Sequence, residues 1–193
     1  MPNLRRPRPT RRHGSDMVDK RLFDSLPVNA IDFLNQSIEE IQTKPKYAVI
    51  NFCASVELLL KARLMDEHWA LILKDPDKAD LVKFRQGNFI SISMEDAIAR
   101  LEKVVPESIP AEAKKSLDQV RKHRNSLIHF FNPGYVGKPK KRVVAEIFAE
   151  QCKAWYHLHK LLTERWQPTF KKHLNKINDA NRKMLRLRPF LRV

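Results

Sequence analysis

Apolar residues along this chain recur at steps of three and four, the rhythm of helices with one buried face, and no long window alternates as a strand does. Ile31, Phe33, Leu34, Ile38 and Ile41 predict a first helix over roughly residues 28–43, capped by Asn29 or an earlier residue. The strongest pattern runs from about Lys46 to Leu73, with Pro45 at its start, a break near Asp66 and Pro76 as its stop. Residues 75–91 read as a loop. Ser93 and Asp96 have the spacing of an N-terminal capping box, followed by Ile98, Leu101, Val104 and Val105 on one face before Pro106. A fourth helix starts near Pro110 and carries Leu117, Val120, Leu127, Ile128 and Phe131 until Asn132-Pro133-Gly134 ends it. After a Gly/Pro/Lys loop through Lys141, a fifth spans about Val143 to Trp166, with Pro168 as its break. There is no internal repeat. The fold class expected is all-α, an antiparallel up-and-down bundle of four to five helices over residues 18–166.

Composition agrees and narrows the function. Four glycines in 193 residues argue against dinucleotide-binding folds and P-loops, which need glycine at turns and phosphate cradles. Isolated Cys53 and Cys152 suit small core residues of a reducing, cytoplasmic compartment, and no apolar run is long enough to span a membrane. The net charge is +15. It is unevenly placed: residues 1–15 carry five arginines and no acid, residues 165–193 carry nine Lys and Arg against Asp179 alone, and the centre is nearly neutral. The ends therefore read as phosphate-seeking segments. Residues 1–17, rich in Arg and Pro, are expected to be a disordered basic arm, and residues 167–193 a flexible, partly helical basic extension. Arg5 and Arg6 in the arm, with Lys138, Lys140, Lys141 and Arg142 before the fifth helix, are the candidate contacts to a nucleic-acid backbone.

Two polar residues break otherwise apolar seams. Ile50, Cys53, Glu57, Leu60 and Leu64 share one face of the second helix, and Leu117, Val120, Arg124, Leu127 and Phe131 one face of the fourth. An unpaired buried charge is costly, so opposite charges at matching places predict that Glu57 and Arg124 meet, as a buried ion pair or across a groove edge. Around Arg124, Asn125 and His129 are one turn apart, with Arg121 a turn earlier, so these side chains can border one groove. His129, in a last helical turn, is placed either to cap the helix or to exchange protons near neutral pH.

Arg124-Asn125-Ser126-Leu127-Ile128-His129 matches the R-x4-6-H motif, in its R-N-x-x-x-H form, and resembles the HEPN superfamily of helical bundles, many of them ribonucleases that need no metal. Glu57-Leu58-Leu59-Leu60-Lys61-Ala62 is similar to the E-L-L-x-K segment of bacterial HEPN-like families, and the likeness covers about residues 26–165. Arg63 and His68 also satisfy the loose spacing but lack the polar residue after arginine. The resemblance implies a homodimer whose two motifs face one cleft and a single-stranded RNA substrate. In it, His129 would move protons as a ribose 2′-hydroxyl attacks the adjacent phosphate. Arg124 would neutralise the charge that develops, Asn125 would orient the phosphate, and Glu57, with Arg121 and Lys61 nearby, would support Arg124. Toxin or phage-defence roles, and an antitoxin or regulatory partner, belong to the same implication, which calls for no cofactor. His157 and His159 point to opposite sides of a helix and with Cys152 form no zinc spacing. Two non-catalytic readings stay open: a helical module binding nucleic acid through its basic ends, and a bundle specialised for protein association.

Overall fold

The computed structural model describes residues 13–107, 109–129 and 136–187, with side chains from residue 20 onward and excepting that of His129. Its elements are α1 (His13–Glu40), α2 (Pro45–Glu67), the short α3 (Leu81–Arg85), α4 (Met94–Val104), α5 (Ala111–His129), α6 (Lys140–Lys160), α7 (Gln167–Phe170) and α8 (Leu174–Arg186). The described residues form no sheet, and the chain is all-α. A four-residue turn folds α2 back along α1, locked where Ser37 Oγ donates to the Ala48 carbonyl at 2.8 Å. Ala30, Ile31 and Leu34 of α1, Phe52, Val56, Leu59 and Leu60 of α2, Leu101 of α4, Leu117 and Val120 of α5, and Phe148, Trp155 and Leu158 of α6 make one continuous core.

Several expectations are corrected. The first helix begins at His13, so residues 13–17 are helical rather than part of an arm; Pro27 is accommodated inside it. Proline there removes one ladder hydrogen bond, and the residue is buried within the fold. The second helix ends at Glu67, close to the break read at Asp66.

Residues 75–91 are not a bare loop. Leu73 and Ser91 pair as an antiparallel bridge, and the Arg100 guanidinium donates to the carbonyls of Leu71, Leu73 and Lys74 at 2.6–3.0 Å. Phe84 stacks between Trp69 and Phe89, with centroids 4.8 and 5.1 Å away. Its anchors are apolar but aperiodic. The capping box at α4 forms as the sequence has it, Ser93 Oγ accepting from the Asp96 amide and the Asp96 carboxylate from the Ser93 amide. The Ser93 hydroxyl, which donates to the Asp96 carboxylate at 2.8 Å, and then the Ser93 amide hold that carboxyl below the usual carboxylate range.

The C-terminal segment is no appendage either. After a π-helical turn (Leu161–Arg165), Trp166, Phe170, Ile177, Ala180 and Met184 all join the core. Trp155 Nε1 donates to Asn181 at 3.0 Å and His159 bonds Asn178 at 2.9 Å, so α8 lies antiparallel to α6. His173 meets Asp24 and Lys183 meets Asn35, so α8 runs parallel to α1. The packed unit thus continues beyond residue 166 to at least Leu187.

Candidate functional site

The two seams do face each other. Cys53 on α2 donates its thiol to the Val120 carbonyl of α5 at 3.6 Å, one helical turn before Arg124. Burial pushes the Cys53 thiol up to about 12, against the opposing pull of the Arg124 guanidinium, which hydrogen-bonds the sulfur. So high a pKa leaves no useful thiolate at neutral pH, and Cys53 acts as packing. Glu57 and Arg121 lie close enough to shift the same thiol electrostatically.

The predicted Glu57–Arg124 ion pair is not formed. Glu57 lies one turn before Lys61 on α2, and Lys61 Nζ takes its carboxylate at 2.6 Å and Ser91 Oγ at 2.9 Å. Lys61 is only 5% exposed, so neutralisation by Glu57 is what makes its burial tolerable. Glu57 and Lys61 tie α2 to the 69–92 segment instead of bracing Arg124.

Other neighbours of Arg124 are also matched by acids. Arg121 bonds Asp118 at 2.7 Å and Glu95 of α4 at 3.1 Å, Lys122 bonds Asp118 at 2.8 Å, and His123 Nδ1 meets Glu150 of α6 at 2.7 Å. Lys122 and Arg121 together hold the Asp118 carboxyl below its ordinary range. Among the described residues, Arg124 has no carboxylate within ion-pair distance; its partner is a neutral thiol. The guanidinium is half-buried, as is Asn125 beside it. The α5 backbone stays helical through His129, whose side chain lies outside the described residues. On the helix backbone Arg124 and His129 are about 7.5 Å apart along the axis and about 140° around it.

The basic candidates divide. Lys138 and Arg142 share Glu146, at 2.8 and 3.3 Å, and these contacts depress its pKa, Lys138 having the larger effect. Lys140 and Lys141 are exposed and border a groove of about 440 Å³ with Gln42 and Val144. They stand in the first turn of α6 rather than in a loop, at the end of the bundle where α5 finishes. Arg5 and Arg6 lie outside the described residues. Arg63, of the loose second motif, is buried among Asp66, Glu67 and Glu107 and cannot serve a ligand.

Sequence reasoning passed over His123 and Glu150. Their signal was present, because Ser116 and His123 are buried polar residues seven apart on one face of α5, and His123 faces Glu150 of α6 while the Arg124 stripe faces α2. Among the described residues no group of three His, Cys, Asp or Glu side chains could hold a metal ion, and no helix is long and apolar enough to cross a membrane. Comparison with protein-family models, with curated proteins and with solved structures finds no match.

Proposed function

We propose that this protein is a HEPN-type endoribonuclease acting on single-stranded RNA without a metal ion. The observation that carries the reading is Arg124, a half-buried residue with no carboxylate at ion-pair distance among the described residues, while Arg121, Lys122 and His123 beside it on α5 are each given one. A cation retained at a packed seam but not neutralised there is poised for an anion from outside. His129 ends the same helix, and Lys140 and Lys141 stand exposed at the same end of the bundle.

In the proposed step the ribose O2′ forms a bond to phosphorus as His129 takes its proton, and the P–O5′ bond breaks as the O5′ oxygen accepts a proton. The products are a 2′,3′-cyclic phosphate and a 5′-hydroxyl. Arg124 compensates charge on the non-bridging oxygens, and Asn125 offers an amide donor to the phosphate. A second copy of the chain would supply the second proton-transfer group across a shared cleft. Ile128, 43% exposed within the motif, and Val136 beyond it give that contact an apolar component.

Purified protein is expected to cleave single-stranded RNA in EDTA and to leave cyclic-phosphate ends, and His129→Ala to abolish this. Equal cleavage by His129→Ala would sink the proposal. The +15 charge favours the second reading, a nucleic-acid-binding module without catalysis, which predicts binding that survives loss of His129.

A further inference from the structure

Amphipathic α8 turns Ile177, Ala180 and Met184 into the core and leaves a row of cations beside α1. The groove between the helices, about 460 Å³, is bordered by Lys176, Arg182, Lys183 and Arg186 against Asp32 and Asp179. Asp179 is taken by Arg182, and Lys183 Nζ reaches Asn35 at 2.9 Å without meeting an acid. Lys176, Lys183 and Arg186 occupy one side of α8 over about 15 Å at the helical rise. The row has a direction. Because α8 is parallel to α1, Arg186 lies toward the end of α1, and Gln42 lies in the turn just past that end. Gln42 borders the groove of Lys140 and Lys141, so this second cationic groove lies at the end of α1 toward which the first one runs. Glu39 is the exposed acid between them.

We infer that the α1–α8 groove docks the sugar–phosphate backbone of a nucleic-acid strand and leads it along α1 toward the end of the bundle that carries Lys140, Lys141 and the Arg124–His129 motif. The inference rests on the proposed function for taking the strand to be RNA. The lining is cationic and carries no aromatic platform, which suits phosphate contacts without base readout. Neither does the groove distinguish ribose from deoxyribose, since phosphate contacts do not see the 2′-hydroxyl.

The test uses the full chain with single-stranded DNA and with 2′-O-methyl RNA, neither of which has the attacking hydroxyl, so binding is read without cleavage. Wild type should bind both. Lys176→Gln/Lys183→Gln/Arg186→Gln should lower the slope of log affinity against log salt by about 2, which is a loss of about a hundredfold at 0.1 M salt relative to 1 M. Asp32→Lys, a gain-of-charge variant that does not depend on the triple variant folding, should tighten binding and steepen the slope. A wild-type slope in a folded triple variant, no response to Asp32→Lys, or no binding of either strand by wild type would overturn the inference. Loss of binding in the triple variant together with cleavage that ignores His129 would fell the catalytic reading and leave the groove standing. His129-dependent cleavage with unaltered binding in the triple variant would do the reverse.

Discussion

The buried cations of α2 and the half-buried Arg124 of α5 are treated in opposite ways. On α2, Lys61 is closed off by Glu57 and Ser91, and Arg63 by Glu67 at 2.7 Å with Asp66 and Glu107 near. On α5, Arg124 keeps a guanidinium whose described partner is the neutral Cys53 thiol, although Glu57 lies nearby. A structural cation in a packed seam needs its counter-charge within the fold, because desolvation costs several kcal/mol. One that lacks it must stay partly hydrated or receive an anion. The difference teaches that position in an apolar seam does not separate a strut from a site, whereas the fate of the neighbouring acids does.

The sharpest way to break this comparison is at the end of α5. His129→Ala is expected to cut RNA cleavage by about 10²–10⁴-fold, the usual contribution of general acid–base catalysis, with unchanged thermal melting. Arg124→Met should lower cleavage by about 10²–10³-fold, the size of losing one transition-state donor. Its stability should fall by less than about 1 kcal/mol in a denaturant titration, because no carboxylate is stranded. A large stability loss with unaltered cleavage would place Arg124 with Lys61 as a strut. Removing Arg124 leaves Glu57 with its cation, because Lys61 holds that carboxylate.

Lys61→Met supplies the contrasting effect. It leaves the half-buried Glu57 carboxylate without its cation and frees Ser91, so we expect a loss of about 2 kcal/mol, below the 3–5 kcal/mol of fully buried pairs because Glu57 is partly exposed. The double variant Lys61→Met/Glu57→Leu should recover most of it, since an apolar pair replaces an ionic one. Cleavage per folded molecule should be unaffected in both. A cleavage defect in the double variant would return Glu57 to the role of bracing Arg124.

The fold was legible where apolar residues repeat. Ile98 and Leu101 after the Ser93–Asp96 box, and Leu117 with Val120, placed α4 and α5 closely. It was not legible where burial lacks a period, as in the segment anchored by Ile72, Phe84 and Ile92 and pinned by Arg100 from a distant helix. Nor was it legible in α8, where charge hides the stripe of Ile177, Ala180 and Met184. For the site, spacing identified the α5 face but not pairing. Glu57 has Lys61 one turn away on its own helix, and that local partner competes successfully with a cation on another element.

Asp118 tests the comparison with the smallest effect. Its pKa is lowered chiefly by Lys122 and Arg121, so its ionised form favours the folded state. That contribution is fully present above the unfolded value of about 3.9 and disappears as pH falls through the lower folded value. The side chain is about a third exposed, and solvent screening keeps the contribution below about 1 kcal/mol. Asp118→Asn should therefore be slightly less stable than wild type at pH 7, and the difference should vanish in acid. The same substitution frees Lys122 and leaves Arg121 only Glu95, next to the unneutralised Arg124. Binding of 2′-O-methyl RNA should tighten severalfold and become more salt-dependent. Unchanged binding would mean that this side of α5 does not face the strand, and would confine its contacts to Arg124 and the residues beyond it.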